Sequence, residues 1–311
     1  MKTRLLSAQD GGIADAAALL RAGALVSFPT ETVYGLGADA RNGQAVARIY
    51  EAKGRPSFNP LIVHLGDVAQ AQDYVAWSDQ AEILASAFWP GPLTLVLPLK
   101  AGHGLSSLVT AGLDTVALRV PAHPTAQALL RSFGGPVAAP SANPSGRISP
   151  TQAGHVMAGL EGRIEAVLDD GPCTVGLEST IVGWQEGSAA LLRAGGLPQE
   201  ALEAALGRPL AAPQGSEITA PGQLSSHYAP EARVRLEALE ANAGEVMLGF
   251  GAIAGDLSLS PSGDLVEAAA NLFEHLHMLD ARGAPIAVAP IPDHGLGRAI
   301  NDRLRRAAAP R

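Results

Sequence analysis

Two cations stand close together in the segment Lys53-Gly54-Arg55-Pro56, directly after a predicted helix. The negative end of a helix dipole stabilises such cations without any ligand, so a purely structural role for them is one interpretation. Asn59-Pro60 then predicts a turn, and His64 ends the apolar strand that follows. Two cations, an amide and an imidazole thus meet at one strand–loop junction, a usual place for ligands in open α/β sheets. We therefore expect a site for an anion at this junction.

Two further polar loops follow predicted apolar strands. The loop Ala139-Pro140-Ser141-Ala142-Asn143-Pro144-Ser145-Gly146 offers hydroxyls, an amide and backbone N–H groups that can hold an anion. The same residue types are ordinary turn formers, so a simple turn is the alternative. In the loop Gly176-Leu177-Glu178-Ser179-Thr180, the carboxylate is either a magnesium ligand through water or a surface charge, and we favour the surface charge.

Two later strands carry arginines that could face a ligand. Thr115 and Arg119 lie on one face of a predicted strand, because side chains alternate with a period of two. One of them could contact a phosphate and the other a carboxylate. Arg193 ends another apolar run, where its charge must be paired or near solvent.

Several other chemistries have no matching pattern in the sequence. There is no phosphate-binding G-x-x-x-x-G-K-[ST] motif and no H-E-x-x-H motif, and Gly35-Leu36-Gly37 lacks the third glycine of a dinucleotide-binding loop. Cys173 is interpreted as a small packing residue. His275 and His277 are expected to be exposed on a helix, and His227 to anchor a segment at the surface.

Composition sets broad limits on the function. The 311 residues are 47% hydrophobic and carry a net charge of −8, which disfavours a free-standing nucleic-acid binder because phosphate neutralisation needs basic residues. A single cysteine excludes a disulfide framework and favours a reducing compartment. No apolar stretch approaches the roughly 20 residues that span a bilayer, and the first residues lack an apolar signal core. We expect a cytoplasmic protein that does not bind membranes.

The elements that must position these residues form an α/β pattern. Residues 1–206 alternate between helical periodicity and short apolar runs, and several runs follow one another without a helix, which predicts an open, twisted mixed sheet. Residues 207–230 are rich in proline and glycine and are interpreted as a linker. Residues 231–311 predict a smaller α/β domain of strand–helix–strand–helix order.

The individual predictions can be stated as ranges. Strands are predicted at residues 24–28, 61–65, 93–97, 116–120, 136–139, 167–168, 180–182, 190–193, 245–250 and 285–289. Helices are predicted from residue 13 to residue 20, from an Asn42 cap to before Arg55, over 79–88, 124–131, 151–158 and 264–282, and from residue 296 onward. Residues 30–37 are interpreted as a polar, glycine-bearing loop.

Taken together, these segments resemble the YrdC-like L-threonylcarbamoyladenylate synthases, in the long form that has an extra Rossmann-like C-terminal domain. The resemblance spans nearly the whole chain and rests on several motifs in family order. They are Phe28-Pro29-Thr30-Glu31-Thr32-Val33-Tyr34-Gly35-Leu36-Gly37, Lys53-x-Arg55-Pro56-x-x-Asn59-Pro60-Leu61, Trp89-Pro90-Gly91-Pro92-Leu93-Thr94, Pro140-Ser141-Ala142-Asn143-x-Ser145-Gly146, Gly176-x-Glu178-Ser179-Thr180 and His227-Tyr228-Ala229-Pro230.

The resemblance implies a reaction of L-threonine, bicarbonate and ATP that gives L-threonylcarbamoyl-AMP and pyrophosphate. It implies that the threonine and carbamate pocket contains Thr32, His64, Arg119, the backbone of Ala139, and Ser179. It implies that the ATP side contains Arg55, Asn59, Thr115, Ser141, Asn143, Ser149, Arg193 and Tyr228. Lys53 and Arg55 are expected to be catalytic, since they and Arg193 would stabilise the charge that develops on the phosphates.

The resemblance also implies cofactors and partners. Magnesium is expected to arrive with ATP, with no protein side chain as its ligand. The linker is expected to close over the site and protect the carbamate from water. The product is expected to pass to a tRNA-modifying transferase complex, without stable tRNA binding by this chain.

One departure concerns that linker, because Gln223-Leu224-Ser225-Ser226 stands where the family usually has basic residues. Another is Ala117, where the family usually has glycine. Two other functions stay open at this point: an RNA-binding module on the same fold, and a carbamoyl-adenylate enzyme with another amine donor.

Overall fold

A large mixed sheet forms the centre of the N-terminal part of the chain. The structure is a computed structural model that describes residues 1–56, 59–211 and 227–310. The strands of this sheet are β1 (Arg4–Ser7), β2 (Val26–Phe28), β3 (Gly35–Asp39), β4 (Ile62–His64), β5 (Leu93–Pro98), β6 (Thr115–Arg119), β7 (Val137–Ala138), β8 (Ala166–Asp169), β9 (Thr180–Gln185) and β10 (Ser188–Arg193). Their order across the sheet is β1-β8-β2-β3-β7-β4-β6-β5-β9-β10, with both parallel and antiparallel neighbours.

Helices cover both faces of this sheet. They are α1 (Gly12–Arg21), α2 (Gly43–Lys53), α3 (Val68–Tyr74), α4 (Asp79–Phe88), α5 (Ser107–Thr110), α6 (Pro124–Phe133), α7 (Ala153–Leu160) and α8 (Gln199–Leu206). Strand alternation explains the two faces: Val167 packs in the core that includes α2 and α4, while its neighbours Ala166 and Leu168 pack in the core that includes α1 and α6. The sheet is therefore buried on both sides, as its apolar strands predict.

A second, smaller sheet follows. Its strands β11 (Val234–Arg235), β12 (Val246–Gly249), β13 (Leu257–Ser258) and β14 (Ile286–Val288) are all parallel, in the order β11-β14-β12-β13. Helices α9 (Leu265–Asp280) and α10 (Gly297–Ala307) complete this part. The apolar core around the small sheet also takes in Val33, Ile148 and Leu177 from the larger part. The C-terminal domain thus packs against loops that follow strands of the large sheet.

The predicted fold class is confirmed, and helix α2 shows how local signals fixed the elements. The Asn42 side chain accepts hydrogen bonds from the backbone N–H groups of Gln44 and Ala45 and caps the helix as predicted. Gly54, with φ of 61°, ends it directly after Lys53. The helix dipole therefore points its negative end at the predicted anion site.

The prediction of a loop throughout residues 30–37 is wrong at its last three residues. Residues Gly35–Asp39 form β3, which pairs with β2 and β7 in the middle of the sheet. Glycine is required at residue 37, because a Cβ there would lie 2.9 Å from the Phe28 ring and 3.0 Å from the Val137 side chain. The sequence pattern suggested that Gly35 and Gly37 belong to a loop. In the structure, their missing side chains leave room for neighbouring side chains to pack against a central strand.

The predicted domain boundaries at residues 206 and 231 stay predictions. Residues 212–226 of the predicted linker lie outside the described residues, and so does its departure at Gln223-Leu224-Ser225-Ser226. Among the residues that the structure describes, no helix is long and apolar enough to cross a membrane.

Candidate functional site

One cavity gathers most of the predicted site residues. It encloses about 560 Å³ of empty space, counting its open mouth. Its wall contains nine of the fourteen predicted residues, namely Thr32, Arg55, His64, Arg119, Ala139, Ser141, Ser179, Arg193 and Tyr228. All five residues predicted for threonine and carbamate are among them.

A buried ion pair and two threonines organise the part of the cavity predicted for threonine. The Thr30 hydroxyl accepts hydrogen bonds from the N–H groups of Thr32 and Val33 and donates to the Val33 carbonyl, so the loop after β2 is fixed locally. Arg119 donates from Nη1 to the Thr32 hydroxyl over 2.8 Å, and its Nη2 lies 2.7 Å from Glu31 Oε1. Both members of this ion pair are almost completely buried. Arg119 is therefore oriented before any ligand binds.

His64 lies opposite Arg119 in the register of β4 and β6. Burial, and next the charge of Arg119, lower the pKa of His64 to about 3. Its ring meets the Phe28 ring edge to face, with centroids 6.0 Å apart. At neutral pH this side chain is an uncharged imidazole, which can exchange hydrogen bonds with a ligand without adding charge.

Two arginines supply positive charge on the part of the wall predicted for ATP. Arg55 donates from Nη2 to the Pro60 carbonyl over 2.9 Å, and burial lowers its pKa to about 10. Arg193 donates from Nη2 to the Ser179 carbonyl over 2.8 Å and to the Ser179 hydroxyl over 3.2 Å. Thr94 and Ser179 share a further hydroxyl hydrogen bond of 2.7 Å. Arg55 keeps its charge at neutral pH, because a pKa of about 10 still lies well above 7.

Lys53 does not line the cavity, contrary to the expectation that it faces the phosphates. Its ammonium group donates to the carbonyls of Ser141, at 2.6 Å, and Asn143. Burial, and next the charge of Arg55, lower the pKa of Lys53 well below its ordinary value. Asn143 also lies behind the wall, where its amide donates to the Pro144 and Arg147 carbonyls. These two residues shape the loop that presents Ser141 to the cavity.

Three other predicted ATP residues lie outside the cavity wall. Asn59 is buried beside Pro60, which does line the cavity, and its amide atoms have no hydrogen-bond partner among the described residues. Ser149 is buried and donates to Glu178 Oε1 over 2.5 Å. Thr115 is the first residue of β6 and Arg119 is the last. The two side chains lie on one face of the strand, but they are four residues apart, and only Arg119 lines the cavity.

His227 and Tyr228 line the cavity, and the expectation that His227 anchors a surface segment is wrong. Both residues are buried and line the wall. Their rings are perpendicular, with centroids 4.1 Å apart, and Tyr228 has a left-handed φ of 61°. Burial, and next the surrounding cations, lower the pKa of His227 well below its ordinary value. The Tyr228 hydroxyl is buried without a hydrogen-bond partner among the described residues, which is a sign of a polar ligand.

Glu178 is the clearest correction to the sequence analysis. It is neither an exposed charge nor an open metal ligand, because it is buried and forms an ion pair with Arg303, whose Nε lies 3.0 Å from Glu178 Oε2. Burial alone would raise the pKa of Glu178, but the charges of Arg303 and then Arg193 hold it below its ordinary value. Sequence reasoning missed Arg303, since no local signal separates it from the other basic residues of helix α10.

The histidine pair at the domain interface is a further correction. His277 is only partly exposed, and its ring stacks on that of His155 with centroids 3.8 Å apart. Its Nε2 lies 3.2 Å from the Ser149 carbonyl, and His155 Nε2 lies 3.3 Å from a Glu274 carboxylate oxygen. The prediction that Cys173 is a packing residue agrees with its burial, which raises the pKa of its thiol to about 12.

Magnesium can be tested against the donors that the wall offers. In the described part of the chain, no group of three or more His, Cys, Asp or Glu side chains could hold a metal ion. The carboxylate in the cavity wall, Glu178, is already used by Arg303 and Ser149. The expectation that magnesium arrives with ATP stays a prediction.

Comparison with known proteins gives matches along the whole chain. The family model of the Sua5/YciO/YrdC group, described as "Telomere recombination", matches residues 18–195, and the model described as "Threonylcarbamoyl-AMP synthase, C-terminal domain" matches residues 197–309. The threonylcarbamoyl-AMP synthase of Bacillus subtilis is 44% identical over 98% of this chain and 95% of its own length. That of Pyrococcus abyssi is 42% identical over 94% and 93%. The crystal structure of P. abyssi Sua5 complexed with L-threonine is similar, with a TM-score of 0.90 and 38% identity over 98% of both chains.

Proposed function

This chain belongs to the Sua5/YciO/YrdC family, in the form with a threonylcarbamoyl-AMP synthase C-terminal domain, and we propose that it makes L-threonylcarbamoyladenylate. The substrates would be L-threonine, bicarbonate and ATP, and the second product pyrophosphate. The observation that carries the proposal is the single cavity whose wall combines the residues predicted for threonine with two arginines suited to phosphate. The threonine complex of the P. abyssi relative supports the amino-acid substrate.

The first part of the cavity suits a zwitterionic amino acid. Arg119 and Glu31 together contribute no net charge, and His64 is neutral. A ligand with one carboxylate and one ammonium group therefore enters without adding an unbalanced buried charge. Arg119 would contact the threonine carboxylate, since its guanidinium already lies in the wall and is fixed by Thr32 and Glu31.

The second part suits a triphosphate. Arg55 contributes a full positive charge from a half-buried position, and in the described residues it makes no ion pair with a carboxylate. Arg193 adds a second guanidinium, and Ser141 presents a hydroxyl from the loop that Lys53 holds in shape. Preorganised cations at the site where charge develops stabilise the transition state of phosphoryl transfer.

The chemistry then needs positioning rather than a protein nucleophile. The amine of threonine adds to carbon dioxide, derived from bicarbonate, and loses a proton to give a carbamate. A carbamate oxygen bonds to the α-phosphorus as the bond to the pyrophosphate oxygen breaks. Magnesium on the phosphates would supply further charge neutralisation. His227 and Tyr228, which are buried in the cavity wall, would limit the access of water to the carbamate.

Pyrophosphate release tests the proposal. Purified protein is incubated with ATP, magnesium and bicarbonate, with and without threonine, and serine replaces threonine in a parallel reaction. We expect release that requires both bicarbonate and threonine, and that is strongly reduced in Arg55→Met. The matched control is Arg4→Met, because Arg4 forms an exposed ion pair with Asp15. Release that is indifferent to threonine would contradict the proposal, and salt-dependent RNA retention without turnover would favour an RNA-binding module.

We further propose that the product serves threonylcarbamoyladenosine modification of tRNA and passes to a transferase in the cytoplasm. The net charge of −8 supports transfer of a small molecule over stable tRNA binding by this chain.

A further inference from the structure

Arg303 lies completely buried in helix α10, yet its contacts are largely with the catalytic part of the chain. Its Nε donates to Glu178 over 3.0 Å, and its Nη1 donates to the Ala194 carbonyl over 2.6 Å. Nη1 also donates to Asp302 over 3.0 Å. Arg303 has an exposed fraction of 0%, so its side chain has no contact with solvent. Removing one partner of a buried ion pair is costly, so the contact between Arg303 and Glu178 fixes both side chains.

Its two main neighbours, Glu178 and Tyr228, both line the cavity. The Arg303 guanidinium carbon lies 5.3 Å from the centre of the Tyr228 ring. The Tyr228 ring also contacts Phe273 of helix α9, with ring centroids 5.7 Å apart. Helices α9 and α10 of the C-terminal domain thus both contact Tyr228, which lines the cavity. Helix α10 also contacts Glu178, the carboxylate in the cavity wall.

We propose that Arg303 is a positioning residue of the synthase reaction, which prepares the cavity for the triphosphate by neutralising Glu178 and supporting the Tyr228 ring. The inference rests on the proposed function and gives the C-terminal domain a direct part in it. Arg303 does not line the cavity itself, so it acts through the two residues that do.

The physical reason is the sign of the charges around the triphosphate. A carboxylate in the wall of this cavity repels phosphate. Without Arg303, the cation that acts on Glu178 among the described residues would be Arg193, whose charge already lowers the pKa of Glu178. If Glu178 formed an ion pair with Arg193, the positive charge of Arg193 would be less available to bind the phosphates of ATP. Threonine binds nearer to the neutral Arg119–Glu31 pair, so the effect on threonine should be smaller.

The test is Arg303→Met, which removes the charge but keeps a long apolar side chain under the Tyr228 ring. We expect the KM for ATP to rise at least about tenfold, since one unit charge acting across ~10 Å at an effective dielectric constant of ~20 changes binding by about that factor. The KM for threonine and kcat should change by less than about threefold. Equilibrium binding of ATP without threonine should weaken by the same factor as the KM.

The double variant Arg303→Met with Glu178→Gln separates charge neutralisation from simple support of the fold. Removing both charges should return the KM for ATP to within about threefold of the parent protein, because no carboxylate is left to repel phosphate or to capture Arg193. Arg303→Lys should also restore much of the affinity. These two variants carry the test if Arg303→Met alone does not fold. The matched control is Arg305→Met, whose side chain lies on the same helix and is 63% exposed.

Three outcomes would overturn the inference while leaving the proposed function intact. They are an unchanged KM for ATP in Arg303→Met, a double variant as impaired as the single one, and equal losses for ATP and threonine. A parent protein that releases no pyrophosphate in response to threonine would instead refute the proposed function.

Discussion

Arg55 should destabilise the folded protein while it serves the reaction. Burial lowers its pKa from its ordinary value to about 10, so the folded state pays for the charge at every pH below about 10. The sign follows from linkage: a cation with a lower pKa when folded opposes folding at neutral pH, and that opposition fades only as the pH rises above about 10. We therefore expect Arg55→Met to keep or increase stability, although it lies in the proposed active site.

The magnitude can be worked from the contacts. A shift of that size corresponds to at most about 3–4 kcal/mol, at about 1.4 kcal/mol per pKa unit. Arg55 also donates to the carbonyls of Pro60 and Asn59, and losing these hydrogen bonds would cost about 1 kcal/mol each. Tyr50 still donates to the Asn59 carbonyl over 3.2 Å. The net expectation is a free energy of unfolding that is unchanged or higher by up to about 2 kcal/mol.

Urea unfolding at pH 7.5, measured without ligand for the parent protein and Arg55→Met, tests this expectation. Arg4→Met again serves as the control, because exposed ion pairs contribute about 0–1 kcal/mol. Saturating ATP should stabilise the parent protein and should have a much smaller effect on Arg55→Met. A loss of more than about 1 kcal/mol in Arg55→Met without ligand would refute the reasoning, since Arg55 would then be a structural residue.

Three further predictions follow from neighbouring contacts. Lys53→Met removes the donor of two buried loop carbonyls but also a buried cation, so the pH dependence is the clearer test. The parent protein should gain stability relative to Lys53→Met in the same urea assay as the pH rises from 7.5 to 10, because burial lowers the pKa of Lys53 in the folded state well below its ordinary value; a constant difference in stability over this range would contradict it. His155→Gln should reduce the loss of stability between pH 7.5 and pH 5 by about 2 kcal/mol, because burial, and next the charge of His277, lower the pKa of His155 to about 4. Below the unfolded-state pKa of about 6.5, His155 therefore takes up a proton more readily in the unfolded chain than in the folded protein, which lowers stability. Equal pH profiles of stability for both proteins would count against this. Thr32→Val should raise the KM for threonine about tenfold with little change in the KM for ATP, since it leaves Arg119 without its hydroxyl acceptor, and equal effects on both substrates would argue against it.

Local signals in the sequence predicted the elements that carry their own start and stop residues. Helix α4 begins and ends at the predicted residues, and the Ser78 side chain caps it. The predicted apolar runs around β4, β5 and β6 also form strands, because each is short, apolar and bounded by polar or proline residues. The grouping of most of the site residues followed from placing their loops at the ends of these strands.

Features that depend on partners far along the chain were not predictable in this way. The short strands β1 and β13 contain no apolar run long enough to stand out, and each is defined by its pairing with a distant or more apolar strand. The position of Lys53 was also misjudged, because a lysine beside an arginine gives no sign that its ammonium turns towards carbonyls about 90 residues later. Sequence patterns report periodicity, whereas these contacts depend on tertiary packing.

The pairing of charges around the cavity shows why Glu178 and Arg303, whose roles the sequence did not predict, matter for function. Among the described residues, two buried carboxylates lie near the cavity, and each is paired with an arginine: Glu31 with Arg119, and Glu178 with Arg303. Because neither pairs with Arg55, the charge of Arg55 is preserved for a ligand at a cost to the unliganded fold. A sequence shows the cations but not which of them are already neutralised. The distribution of net charge, and hence the distinction between an amino-acid end and a triphosphate end, becomes visible only when the two ion pairs are assigned.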